Sequence, residues 1–104
     1  MIETIKRIFG IGPSADFAEM MKRGATIVDV RTKEEYRHGH IRGSVNIPLN
    51  TLSSRCSSID KNKPVITCCA SGMRSSQALG ILKSHGFSEV HNGGGWMSLQ
   101  HKIR

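Results

Sequence analysis

A thiol and a guanidinium stand close together in the stretch ITCCASGMRSS, residues 66–76. Four residues separate Cys69 from Arg74 and five separate Cys68 from it, so two loop lengths and two nucleophiles are available. A cysteine reacts as its thiolate, which forms most readily beside cations and helix N-termini. Ala70, Ser71 and Gly72 are small, which lets successive backbone N–H groups turn inward as a concave nest for an anion. The N–H groups of residues 70 to 74, Met73 among them, line this nest. Arg74 adds a charge that persists at any relevant pH, and Ser75 is suited to cap a following helix. Such a loop favours a nucleophilic thiolate and can hold an anionic group that carries an electrophilic atom.

The loop works only if a strand delivers the thiol and a helix starts behind it, the usual ligand crevice of an open α/β sheet. The flanking patterns supply both. Val65–Cys68 is an apolar run interrupted only by Thr67, which reads as a central strand. Ser75 to His85 reads as a helix with Ala78, Leu79, Ile81 and Leu82 inward and Gly86 ending it. Upstream, Pro13-Ser14 opens a helix with Ser14 as cap, Phe17, Met20 and Met21 on one face and Gly24 at its end. Thr26–Val30 reads as a buried strand, Lys33–Tyr36 as a helical turn, and Ser44–Ile47 as a short strand stopped by Pro48. Leu49, Leu52, Cys56 and Ile59 recur at helical spacing, which places Cys56 among packing residues. Glu89–His91 reads as a last strand, Gly93–Gly95 as a sharp turn and Trp96–Gln100 as a closing helical turn. Alternating strands and helices imply an α/β fold with a mostly parallel sheet.

The chain has 104 residues, enough for one domain. Residues 1–12 read as a short N-terminal extension, with Ile2, Ile5 and Phe9 at helix-like spacing, and residues 13–104 as the domain itself. The formal net charge of +7 comes from basic residues scattered from Lys6 to Arg104, and aromatic residues are few. A stacking-type nucleic-acid surface is therefore not expected, although the positive potential would help to draw in a small anion. No apolar run approaches the roughly 18 residues of a membrane helix, so no membrane association is expected. The opening MIETIKRIFG lacks the apolar region of a signal peptide, and a cytoplasmic location is the expectation. Three cysteines do not suggest a disulfide framework. His38 and His40 lack well-spaced partners for a metal.

A second and longer motif precedes the cysteine loop: DVRTKEEYRHGHIRGSVNIP, residues 29–48. It resembles the signature of the rhodanese homology domain at Asp29, Val30, Arg31, Glu35, Tyr36, Gly39, His40, Ile41, Gly43, Ser44, Asn46, Ile47 and Pro48. CASGMRS, residues 69–75, is similar to that family's C-x-x-G-x-R-S loop, and GFSEVHNGGGW, residues 86–96, resembles its closing segment. The resemblance implies a three-layer α/β domain around a five-stranded, mainly parallel sheet, and sulfurtransferase chemistry through a persulfide on Cys69. It also implies that Asp29, Arg31 and Glu35 form a supporting ion-pair network at the strand end, and that His40 belongs to a structural turn. The implied partners are a small anionic sulfur donor such as thiosulfate and an acceptor such as cyanide, a small thiol or a thioredoxin-like dithiol. No cofactor and no metal are implied, and a monomer is expected.

Two departures leave room for other readings. Ala70 stands where some thiosulfate-specific members carry a basic residue, and Cys68 is not part of the motif. The length Cys68-x5-Arg74 matches the longer loop of rhodanese-fold phosphatases and arsenate reductases. Against it, neighbouring side chains of a strand point to opposite faces, and the motif aligns on Cys69. A persulfide carrier or regulatory module serving a single partner protein is the other alternative.

Overall fold

The computed structural model describes residues 16–104. The expected roles of Ser14, Ile2, Ile5 and Phe9 fall outside them. Helix α1 (Phe17–Lys22) begins at Asp16, whose side chain accepts the Glu19 N–H at 3.0 Å, so Asp16 caps this helix. The order continues β1 (Thr26–Asp29), α2 (Lys33–Arg37), β2 (Val45–Asn46), α3 (Leu49–Arg55) with a 3₁₀ turn at Cys56–Ser58, β3 (Val65–Cys69), α4 (Met73–Ser84), β4 (Val90–Gly95) and α5 (Trp96–Ile103).

The strands lie in the order β2-β1-β3-β4, all parallel. The expected five-stranded, mainly parallel sheet is thus corrected to four strands among the described residues, one for each apolar run between Asp16 and Arg104. Strand β3 is central and buried along its whole length. Alternation along β1 and β3 sorts the core into two layers. Val28, Val30, Val65 and Cys69 pack with Leu52, Ala78 and Leu82 of α3 and α4. Ile27, Ile66 and Cys68 pack on the other face with Phe17 and Met20 of α1 and Leu99 of α5. Cys56 is buried in the first layer, as its helical spacing indicated.

The motif of residues 29–48 is an interlocked scaffold. Asp29 is completely buried and takes Arg31 in a forked contact, with Nη2 to Oδ2 at 2.8 Å and Nε to Oδ1 at 3.0 Å. Arg31 also donates to the carbonyls of Gly39 at 2.7 Å and Glu35 at 3.3 Å, and its guanidinium lies 4.9 Å from the Trp96 ring centroid. Asn46 donates to the carbonyls of Asp29 and Arg31, both at 3.0 Å, which ties β2 to β1. His40 stacks on Tyr36 with centroids 3.7 Å apart and contacts the Tyr36 carbonyl through Nδ1, a structural place within the turn.

One local expectation is reversed. Gly93, Gly94 and Gly95 belong to β4 and do not form a turn. The pairing Thr67↔Asn92 is followed by Cys69↔Gly95, so β4 gains a residue over β3, with Gly94 at φ +78°. Glycine is needed there for close approach: a Cβ on Gly93 would lie 2.8 Å from both Leu99 Cδ2 and the Thr67 carbonyl oxygen. Gly93→Ala is accordingly expected to lower stability by about 1–3 kcal/mol through overpacking, measured by urea denaturation against the wild-type chain.

Candidate active site

Cys69 ends β3, and Ala70, Ser71 and Gly72 carry the chain round to α4. Gly72 turns the corner at φ +109°, a conformation open to glycine at little cost. The expected helix start moves two residues earlier, to Met73, because Gly72 occupies the cap position. Ser75 is therefore inside the first turn and does not act as the cap. Its hydroxyl oxygen lies beside the sulfur instead.

The Cys69 sulfur is almost completely buried and is ringed by donors. Gly72 N–H reaches Sγ at 2.9 Å and Ser75 N–H at 3.4 Å, while Ser75 Oγ lies 3.4 Å away. Burial pushes the Cys69 thiol up, but its hydrogen bonding with the Ser75 side chain and with the N–H groups of Ser75, Gly72 and Ser71 outweighs it, and the thiol is held below its ordinary value. The N-terminus of the twelve-residue helix α4 adds its partial positive charge in the same direction. Cys68 differs on every count. It faces the α1–α5 layer, is fully buried, and is pushed up to about 12, first by burial and then by the Asp29 charge.

The remaining expected site residues separate into three groups. Ser71, Gly72 and Ser75 surround the sulfur, whereas the side chains of Ala70 and Met73 face solvent, Met73 being 75% exposed. Arg74 is paired with a carboxylate: Nη1 and Nη2 grip Glu35 at 2.7 and 3.0 Å. The expected network of Asp29, Arg31 and Glu35 is therefore corrected. Arg31 meets only the backbone carbonyl of Glu35, whose carboxylate serves Arg74 and the α2 capping box with Thr32. An open cleft of about 300 Å³ lies beside Arg74, lined also by Val30, Thr32, Pro48, Leu49 and Asn50. Asn92 of β4 also reaches the loop, a placement that only the parallel pairing of β3 and β4 reveals. The polar residue just before the glycine run was its sole trace in the sequence. Among the described residues no group of three or more His, Cys, Asp or Glu side chains could hold a metal ion, and no helix is long and apolar enough to cross a membrane.

The family model described as Rhodanese-like domain matches residues 14–102. The chain belongs to the rhodanese family. It is 40% identical over 70 residues to thiosulfate sulfurtransferase PspE of Escherichia coli (strain K12), an alignment covering 65% of this chain and 67% of that protein. It is also 40% identical over 70 residues to the uncharacterized protein YqhL of Bacillus subtilis (strain 168), with 67% of this chain covered. The chain spans only 56% of that relative's length. Among solved structures, a rhodanese with anions from E. coli superposes with a TM-score of 0.67 at 37% identity, covering 71% of this chain and 89% of that one. The α/β rhodanese fold is thus shown by sequence and structure together.

The Arg74–Glu35 contact generates a pH signature. Glu35 titrates at about 2 in the folded chain against an ordinary 4.5, chiefly because of its hydrogen bonds from Arg74. A carboxyl held low stabilises the fold fully above its unfolded value and loses that contribution as pH falls toward its folded value. Both side chains are about one-third exposed, so solvent screens the pair and the effect is modest. Glu35→Gln is expected to lower the thermal midpoint slightly at neutral pH and to converge with wild type near pH 2, measured by melting at a series of pH values. A difference unchanged down to that pH would contradict the linkage.

Proposed function

We propose that the chain is a sulfurtransferase that carries sulfane sulfur as a persulfide on Cys69. The observation that carries this reading is the pair of backbone N–H donors, from Gly72 and Ser75, converging on a buried Sγ at the strand-to-helix turn. Membership of the rhodanese family, and a relative named thiosulfate sulfurtransferase, support the same chemistry. In the first half-reaction the Cys69 thiolate attacks the outer sulfur of thiosulfate. The sulfur–sulfur bond breaks, sulfite leaves with the bonding pair, and a Cys69 persulfide remains. In the second, a thiolate or cyanide attacks the outer sulfur and the Cys69 thiolate departs with its electron pair. The outcome is an acceptor persulfide or thiocyanate. Thiolate attack and a stable leaving group govern both halves, and the hydrogen bonds that hold the Cys69 thiol below its ordinary value favour the thiolate that the attack needs.

Arg74 contributes in this reading through position. Its grip on Glu35 anchors the first turn of α4 to α2, so the N–H groups that face the sulfur keep their aim. The neighbouring cleft is open and has an apolar floor of Val30, Pro48 and Leu49, which suits the apolar flank of an approaching acceptor thiol. A reaction using Cys68 across the five-residue spacing lacks support, since that thiol faces the other layer and is pushed to about 12.

Incubation with thiosulfate followed by intact mass measurement tests the proposal. Wild type and Cys68→Ala are expected to gain one sulfur and to pass it to cyanide, and Cys69→Ser to do neither. Sulfur loading that survives in Cys69→Ser but fails in Cys68→Ala would reverse the choice of nucleophile. Comparable rates to a small thiol and to a dithiol protein would argue for a broad catalyst, and transfer confined to one protein acceptor for a dedicated carrier.

A further inference from the structure

The Ser75 hydroxyl has one proton and three neighbours that can use it. Oγ lies 2.7 Å from Asn92 Oδ1, 3.1 Å from the Gly72 carbonyl oxygen and 3.4 Å from Cys69 Sγ. Asn92 Oδ1 carries no hydrogen, so this shortest contact requires the Ser75 O–H to point at it. Two further contacts fix the amide's orientation: Oδ1 also accepts the Gly94 N–H at 2.9 Å, and Nδ2 donates to the Gly72 carbonyl at 3.4 Å. With Cys69 as a thiol, the hydrogens form one directed chain: S–H donates to Ser75 Oγ, and Ser75 O–H donates to Asn92 Oδ1.

Deprotonation of Cys69 breaks that direction. A thiolate only accepts, so Ser75 can serve it only by swinging its proton away from Asn92. Two oxygen lone pairs would then face each other at the 2.7 Å separation, and a good hydrogen bond would be lost. We propose that Asn92 is a positioning residue that competes with Cys69 for the single Ser75 proton, holding the hydroxyl back from the free thiolate. The chemical sense follows from nucleophilicity, which falls as a thiolate is stabilised. Once an outer sulfur is attached, Sγ is uncharged and the Ser75–Asn92 bond persists at no cost, while the loop N–H groups remain to face the outer sulfur.

Other groups near the site are Arg74 of α4, which feels the Cys69 charge and has Glu35 of α2 paired to it, and the preceding Cys68, on which the Asp29–Arg31 pair at the end of β1 acts. On β4, His91 pairs with Glu89 at 3.6 Å. None of these side chains hydrogen-bonds to Ser75 or Asn92, so they act equally in the variants compared. The inference rests on Cys69 being the reacting thiol. Its test uses alkylation, which needs no sulfur donor, so it can fail separately from sulfur transfer.

The rate of Cys69 alkylation by iodoacetamide, followed against pH with the labelled peptide identified by mass, reports the thiolate fraction. It is measured for wild type, Asn92→Leu, Ser75→Ala and the double variant. Asn92→Leu is expected to move the profile to lower pH, raising the thiolate fraction on its acid side roughly three- to tenfold, the net worth of one ordinary hydrogen bond. In the Ser75→Ala background the same substitution is expected to move nothing. An unchanged or upward profile for Asn92→Leu, or equal shifts in both backgrounds, would overturn the proposal. Should Asn92→Leu not fold, Asn92→Asp decides: its stronger acceptor is expected to move the profile to higher pH by more with Ser75 present than with Ser75→Ala. An equal shift there would also overturn it.

Discussion

The buried contact between Asp29 and Arg31 is the constraint on which the remaining geometry depends. A completely buried carboxylate is costly unless its charge is met and its lone pairs are filled, and Arg31 does both with a two-pronged contact and its own backbone N–H. The guanidinium then has hydrogens left for the carbonyls of Glu35 and Gly39 and a face for Trp96. One ion pair thus joins the end of β1, the helix α2, the loop that follows it and the start of α5. Removing either partner would strand the other charge in the interior.

From that anchor a second pair reaches the reactive loop. Glu35 closes the α2 capping box with Thr32 and presents its carboxylate to Arg74. The order of dependence runs from buried pair to short helix, from helix to carboxylate, and from carboxylate to the first turn of α4. The second support comes from β4, where the extra residue between Asn92 and Gly95 brings glycine backbone against Ala70 and Gly72. A side chain at Gly95 would meet the Ala70 carbonyl at 3.0 Å, so the loop and the strand beneath it can nest only because that strand is bare. Rigid elements on both sides, rather than the loop's own few contacts, hold the donors around the sulfur.

Much of this was legible in the sequence wherever one residue type and its near neighbours decide the outcome. Strand alternation meant that Cys68 and Cys69 could not both enter the crevice, the motif aligned on Cys69, and the core layers follow that alternation. Gly72 and the small residues before it announced the turn. What stayed hidden was pairing between distant segments. Arg74 read as a free cation for the anion, yet its partner Glu35 lies thirty-nine positions upstream. Ser75 read as a cap because serine at a helix start normally caps, but Gly72 occupies the cap position, which left the hydroxyl to bond Asn92 beside the sulfur. Asn92 had no local signature, and the glycine run was misread as a turn because close backbone approach and tight turns ask for the same residue.

The opposite orientation of two adjacent thiols sets the traffic through this molecule. Cys68 and Cys69 are neighbours in the chain but stand on either side of the sheet, and Cys56 is closed off within the core against the Ser53 carbonyl. In the proposed reading, sulfur carried on Cys69 therefore finds no thiol of its own layer to discharge into. A loaded state would be insulated from its own chain and relieved from outside, which would make the lifetime of the cargo a property of whichever visitor comes to collect it.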